Sequence, residues 1–337
     1  MRKLASLAVV VGLGALAYPQ GGEAQGTHNL NFGTVAPDGT PWADQLRDVQ
    51  KRIRTDSNGA INVRVFLGGS MGSEVEIVED IASGQRLQGG GMSTAAIAEG
   101  ANLPILMMPE LPYLFRSVEE ADAVLDEVLL EPVSAALEAK GFVLGAWAEN
   151  GWRNFATTGP ATSPEELSAY KMRSQESPVH LGMYEKLGVQ AVAKPTSEVL
   201  PALNTGIIDG YDNTPLFSLA AGWIEPISHY TLSQHIYQPA AVVYSKRFLD
   251  GLPADLQRIV IGDPLMESQR GRVGVRALES ELIESIRQMG KTVTELTPEQ
   301  RKAFRRATKD VRNGFVVTHA NLRPVYAEVK AKLQSMR

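Results

Sequence analysis

The sequence predicts an α/β protein of two lobes, in which strands alternate with short helices and feed a largely parallel sheet. Three observations predict it. The stretch from Ser163 to Pro215 runs turn, strand, helix, strand, helix, strand; residues 28–92 repeat the alternation; and a long helical pattern towards the C-terminus has the reach to span two lobes. A chain of 337 residues is long enough for two domains, and 44% hydrophobic residues is enough to fill their cores.

Taken in order, His28 to Val35 alternates as a strand, and Ala36-Pro37-Asp38-Gly39-Thr40-Pro41 is a loop of turn residues. From Trp42, residues Leu46, Val49 and Ile53 recur at helical spacing until Ser57-Asn58-Gly59 stops them. Ile61 to Leu67 is a second strand, and Ser73 starts a helix with Val75, Val78 and Ile81 inward. Arg86 to Met92 is a third strand, in which Gly89-Gly90-Gly91 implies close backbone approach. Met107 to Phe115 is an apolar, proline-broken core segment, and a helix carrying Val118, Ala121, Val124, Leu125 and Val128 runs on towards Lys140. Phe142 to Ala148 is a strand leading into Glu149-Asn150-Gly151-Trp152-Arg153, where the chain first crosses between lobes.

In the second lobe, Ser163 to Leu167 is a short helix, Tyr170 to Arg173 a strand, and Ser177-Pro178 opens an amphipathic helix with Val179, Met183, Tyr184 and Leu187. Val189 to Ala193 is a strand, Ser197 to Asn204 a helix, and Thr205 to Pro215 closes the unit. Leu216 to Ala221 is helical, and Ile227 to Leu232 and Ala240 to Tyr244 are strands, the second returning to the first lobe. Asp255 to Met289 is one long helical pattern, relieved only at Gly262-Asp263-Pro264, Gly271 and Gly274; Thr292 to Leu296 is a strand and the rest mixed-charge helix.

The N-terminus carries Arg2 and Lys3, an apolar run from Leu4 to Ala17, and small residues Gly22 and Ala24. That is the layout of a secretory signal over residues 1–24; a membrane anchor needs roughly 20 apolar residues, and this run is shorter. With no cysteine, disulfides, thiolate metal sites and a lipid-modified cysteine are excluded. A formal net charge of −5 gives no general attraction to nucleic acid or anionic lipid. A soluble periplasmic protein is expected. The lobes are drawn as residues 25–149 plus 238–275 and residues 150–237 plus 276–337.

In such sheets ligands meet the crevice at the carboxyl ends of the strands. Arg173 stands at one strand end and Asn213 just after another. An arginine there offers a permanently charged fork for a carboxylate, although most arginines make salt bridges worth under about 1 kcal/mol. Arg153, beside the crossing, is as suited to stapling the lobes as to touching a ligand. Asn213 has donors and an acceptor for a ligand, or caps the helix near Thr214-Pro215. Trp42, Tyr113, Trp152, Tyr211, Phe217 and Tyr237 are candidate cleft walls, of which about half are expected to line it. Gly68-Gly69-Ser70-Met71-Gly72 matches a nucleophile elbow, so an esterase using Ser70 is a rival reading, weakened by the single strand predicted before it. The five histidines, His28, His180, His229, His235 and His319, show no metal-ligand spacing, and Gly89-Gly90-Gly91 lacks the lysine of a phosphate loop, so neither metal nor cofactor is expected.

Lys171-Met172-Arg173, Ser177-Pro178, Leu187-Gly188, Ser197-Glu198-Val199, Ala202-Leu203-Asn204-Thr205-Gly206 and Asp209-Gly210-Tyr211-Asp212-Asn213 occur in the order found in the DctP-type solute-binding proteins of TRAP transporters. Gly68-Gly69-Ser70-Met71-Gly72, Glu74, Leu111-Pro112-Tyr113-Leu114-Phe115 and Asn150-Gly151-Trp152-Arg153 resemble further segments of that family. The resemblance spans nearly the whole mature chain. It implies a two-lobed periplasmic binding protein, class II-like, with a long interlobe helix and a helical C-terminus. It also implies a receptor, not an enzyme, that holds a small organic acid and hands it to a membrane permease, as a monomer or a homodimer. By resemblance Arg173 grips the ligand carboxylate, Arg153 adds a second positive group, and Glu74 lies at the cleft rim. Gln175 departs from the apolar residue or proline common after the arginine. The remaining rival is a receptor of the same fold with a non-carboxylate ligand or a signalling partner.

Overall fold

A computed structural model describes residues 28–337. The proposed export signal lies outside the described residues. Nine strands form one sheet: β1 (His28–Gly33), β2 (Ile61–Phe66), β3 (Gly89–Ser93), β4 (Phe142–Thr157), β5 (Lys171–Ser174), β6 (Gln190–Ala193), β7 (Gly210–Asn213), β8 (His229–Ser245) and β9 (Thr292–Glu295). Their order is β2-β1-β3-β8-β4-β7-β5-β6, with β9 on β8. Pairing is parallel within each end of the sheet, β1 with β2 and β3, and β5 with β6 and β7.

The expectation of a largely parallel sheet therefore needs correction at its centre. There β8 pairs antiparallel with both β3 and β4, and β4 antiparallel with β7, because β4 and β8 carry the chain between the lobes in opposite directions. These two strands also run further than the sequence implied. Residues 227–232 and 240–244 read as separate strands, and 142–148 as one that leads into a crossing segment at Glu149-Asn150-Gly151. Instead the pairing register shifts between Leu144 and Ala146, Glu149 and Gly151, and Arg153 and Phe155 while the ladder continues. Bulges bend a strand without ending it, and Gly151, at φ +100°, supplies the backbone freedom for one of them.

Local signals account for most helix starts. The Thr40 hydroxyl accepts from Ala43 N–H ahead of Pro41 in helix Pro41–Asp56, and Ser73 and Glu76 form a reciprocal cap on helix Glu74–Ser83. The predicted close approach at the glycine run is real: a Cβ on Gly91 would lie 2.8 Å from the Trp42 indole.

The predicted helix from Asp255 to Met289 is broken into Ala254–Ile261 and Pro264–Gln288. Gly262 turns the chain at φ +66°, the Asp263 side chain accepts from the Leu265 and Met266 amides, and Pro264 has no N–H to continue the ladder. The second piece, roughly 37 Å long at about 1.5 Å per residue, ties the ends of the molecule together. Near its start Glu267 pairs with Arg52 at 2.9 Å, at mid-length Arg272 and Arg276 hold Asp126 and Asp122, and near its end Ile286 enters the core around Tyr211, Trp223 and Tyr230. The last helix, Arg323–Met336, packs on the segment around Glu120 and Glu127, with Arg337 on Glu120 at 2.8 Å and Lys332 on Glu127 at 2.7 Å. Among the described residues no helix is long and apolar enough to cross a membrane.

Candidate binding site

A cavity lies where β3, β4, β5, β7 and β8 meet. Seven of the residues singled out from the sequence line it: Trp42, Glu74, Arg153, Arg173, Gln175, Asn213 and Phe217. Arg173 lies one residue before the end of β5 and is 2% exposed. Its Nε and Nη2 donate to the Lys194 carbonyl at 2.9 and 2.7 Å, and its guanidinium lies 5.3 Å from the centre of the Trp223 ring. Among the described residues Arg173 makes no ion pair and its Nη1 has no protein partner. Burial, and secondarily the charge of Arg153, depress its pKa to about 10, which still leaves it cationic at neutral pH. The result is a desolvated cation that faces the cavity without an ion-pair partner among the described residues.

Arg153 has the opposite situation. Its Nε donates to Asp212 Oδ2 at 2.5 Å, its Nη2 to the Asp212 carbonyl, and its Nη1 to Gln238 at 2.7 Å, with Gln175 and Asn213 at 3.4 Å. Asp212 also accepts from the Tyr184 hydroxyl at 2.7 Å and meets His235 at 3.2 Å. Burial alone would raise the Asp212 carboxyl, yet Arg153, with His235 and His180 in support, holds it well below its ordinary value. The expectation that Arg153 adds net positive charge to the cleft is thereby corrected: its charge is spent on Asp212, and it braces β4 against β7 and β8.

Glu74 sits within the cavity wall, not merely at its rim. Its carboxylate accepts from the Ser93 amide at 2.8 Å and hydroxyl at 3.0 Å, and burial raises its pKa. Gln175 donates to Ser93 Oγ at 2.7 Å and accepts from Gln238 at 2.7 Å, so a polar chain runs across the cleft. Asn213 Oδ1 accepts from the Thr214 amide at 2.9 Å, whereas the helix cap itself is Thr214, whose hydroxyl accepts from Phe217 N–H.

Four aromatic candidates do not line the cavity. Trp152 and Tyr237 face each other across the ladder at 5.3 Å and point away from it, because adjacent strand residues face opposite ways and their neighbours Arg153 and Gln238 take the cavity side. Tyr211 packs edge-on against Trp223 at 5.2 Å in the core. Tyr113 is buried behind β8, its amide donating to the His235 carbonyl at 2.7 Å. Two of six aromatics line the site, fewer than expected. Ser70 is exposed and outside the cavity.

Sequence reasoning missed Gln238, Asn150, Ser93, Thr34 and Thr214, which complete the polar wall. It also missed a buried layer beneath the cavity, where Glu110 accepts from Thr94 Oγ1 at 2.7 Å and from Gln238 Nε2 at 2.9 Å and meets His180 at 2.8 Å. The available signal was Asp212 itself, an acid inside a predicted buried strand, where an ionised group needs a partner.

The fold and site define a two-lobed solute receptor with its cavity between lobes joined by crossing strands. The profile of the bacterial extracellular solute-binding protein family 7, DctP, matches residues 32–317, and the chain belongs to that family. It is 31% identical over 274 residues to the C4-dicarboxylate-binding periplasmic protein DctP of Rhodobacter capsulatus, covering 80% of each chain. It is 26% identical over 268 residues to the 2,3-diketo-L-gulonate-binding periplasmic protein YiaO of Escherichia coli, covering 78% of this chain and 80% of that one. The crystal structure of a TRAP periplasmic solute-binding protein from Citrobacter koseri with bound D-glucuronate superposes with a TM-score of 0.83 at 27% identity, covering 91% of this chain and 99% of that one.

Proposed function

We propose that the protein is the extracytoplasmic receptor of a TRAP-type transporter and that it captures a polyhydroxylated monocarboxylate, a sugar acid of the uronate or aldonate type. The observation that carries this is the presence, in one cavity, of a buried cation without an ion-pair partner, Arg173, and a carboxylate, Glu74. Arg173 would take the ligand carboxylate on Nη1 and the outer edge of Nη2. Glu74, Asn150, Gln175, Asn213 and Gln238 offer acceptors and donors suited to hydroxyl groups, and Trp42 and Phe217 offer apolar faces for the carbon skeleton.

A C4-dicarboxylate, the ligand named for the Rhodobacter relative, fits less well. Its second carboxylate would find Arg153 already neutralised and Glu74 repelling it. Closure of the two lobes, drawn at residues 25–149 plus 238–275 and 150–237 plus 276–337, would follow because a ligand touching both binds the closed state better. Export by the N-terminal signal to the periplasm, release to a membrane permease and the absence of chemistry on the ligand complete this reading.

Calorimetry with D-glucuronate, D-galactonate and succinate tests it. Sugar-acid binding with a Kd near micromolar, corresponding to about −8 kcal/mol, and at least about tenfold weaker succinate binding are expected. Preference for succinate would transfer the assignment to the dicarboxylate reading.

A further inference from the structure

On the face of the β4–β8 pair away from the ligand cleft lies a separate cavity. Arg116, Arg301 and Arg305 line it together with Tyr113, Gln234 and Trp152. No acidic residue lines it, and none of the three arginines makes an ion pair, among the described residues. Arg301 is held in place: its Nη1 and Nη2 donate to the Ser233 and Leu232 carbonyls of β8 at 2.7 and 3.2 Å.

Tyr113 stands in the wall beside them, 6% exposed, its hydroxyl buried and without a hydrogen-bond partner among the described residues. Burial raises its pKa while Arg301 and Arg305 pull the other way, so the group stays a phenol. The backbone at this wall is fixed: Tyr113 stands at φ +52°, fastened through its amide to the His235 carbonyl and through its carbonyl to Arg312 Nη1 at 3.3 Å. Gln234, at φ +44°, is tied through its amide to Asn154 Oδ1 at 3.1 Å.

We infer that this cavity is a second binding site, for a small oxyanion such as phosphate, held by Arg116, Arg301 and Arg305. Three guanidinium groups around one cavity, one of them fixed on β8, without a competing carboxylate favour an acceptor-only ligand, and the guanidinium fork matches tetrahedral and planar oxyanions alike. Trp152 forms part of this cavity while its neighbour Arg153 faces the ligand cleft, so the site is built on the same crossing strand but is chemically separate from it.

The test is a titration of the purified mature protein with inorganic phosphate at constant ionic strength, read by phosphorus NMR line broadening. Saturable binding is expected for the parent protein. Arg116→Gln with Arg305→Gln, both at exposed positions, should weaken it at least about tenfold, the loss of one charge-assisted contact or more. Arg173→Met, in the ligand cleft, should leave it unchanged. Binding that does not saturate, that survives the double substitution, or that disappears with Arg173→Met would overturn the assignment.

Discussion

Two arginines lie under the same cavity, both almost fully buried, and they do different work. Arg153 is surrounded by acceptors: Asp212 takes its charge, and Gln238, Gln175 and Asn213 take a remaining hydrogen. Arg173 has one backbone carbonyl and the face of Trp223. A buried charge with its partner is scaffold, and a buried charge without one is a site, because the missing stabilisation is what an anionic ligand supplies. Residue type and burial are alike; the neighbouring strand ends differ.

The largest effect that would break this comparison is Asp212→Asn. It leaves the Arg153 guanidinium buried without a counter-charge, and a loss of about 3 to 5 kcal/mol in folding stability is expected. Urea unfolding is the measurement; a loss below about 1 kcal/mol would mean that Arg153 is not held as described. Acid gives an independent check on the same pair. Because the folded-state pKa of Asp212 lies well below 3.8, its ordinary value, its stabilisation is complete above that pH and is lost as the pH falls through the lowered value. The stability of the Asp212→Asn variant should therefore fall less steeply below pH 3.8 than that of the parent protein. Parallel curves would count against the pair.

Next in size is Arg173→Met, which sharpens the contrast by acting on binding and not on folding. Removing a poorly compensated buried charge should leave unliganded stability unchanged or improved, while sugar-acid affinity falls by about 2 kcal/mol or more. Chemical denaturation and calorimetry on the same preparation separate the two; a large loss of unliganded stability would make Arg173 scaffold too. The smallest effect expected is from Glu74→Gln. Replacing a charged acceptor by a neutral one should cost a hydroxylated ligand about 1 kcal/mol and narrow its advantage over succinate, as competition calorimetry would register. A widened advantage would remove Glu74 from the recognition of hydroxyl groups.

Much of this was legible beforehand. The βαβ alternation, the helix start at Ser73, the tight packing at Gly91 and the places of Arg173 and Asn213 at strand ends follow from short-range signals, spacings and family motifs that act within a few residues. The aromatic assignments failed for Trp152 and Tyr237 because facing depends on the strand register around bulges, which is set by the pairing of β4 with β8 and not by the local sequence.

By itself, then, the sequence determined the strand–helix alternation, the family and the arginine proposed to take a carboxylate, since periodicity, capping and motif order are local properties of the chain. Only the tertiary structure decided which arginine is left without a partner. Arg153 and Asp212 are 59 residues apart, and a charge is neutralised by what lies within a few ångströms of it, however far away it is in the sequence.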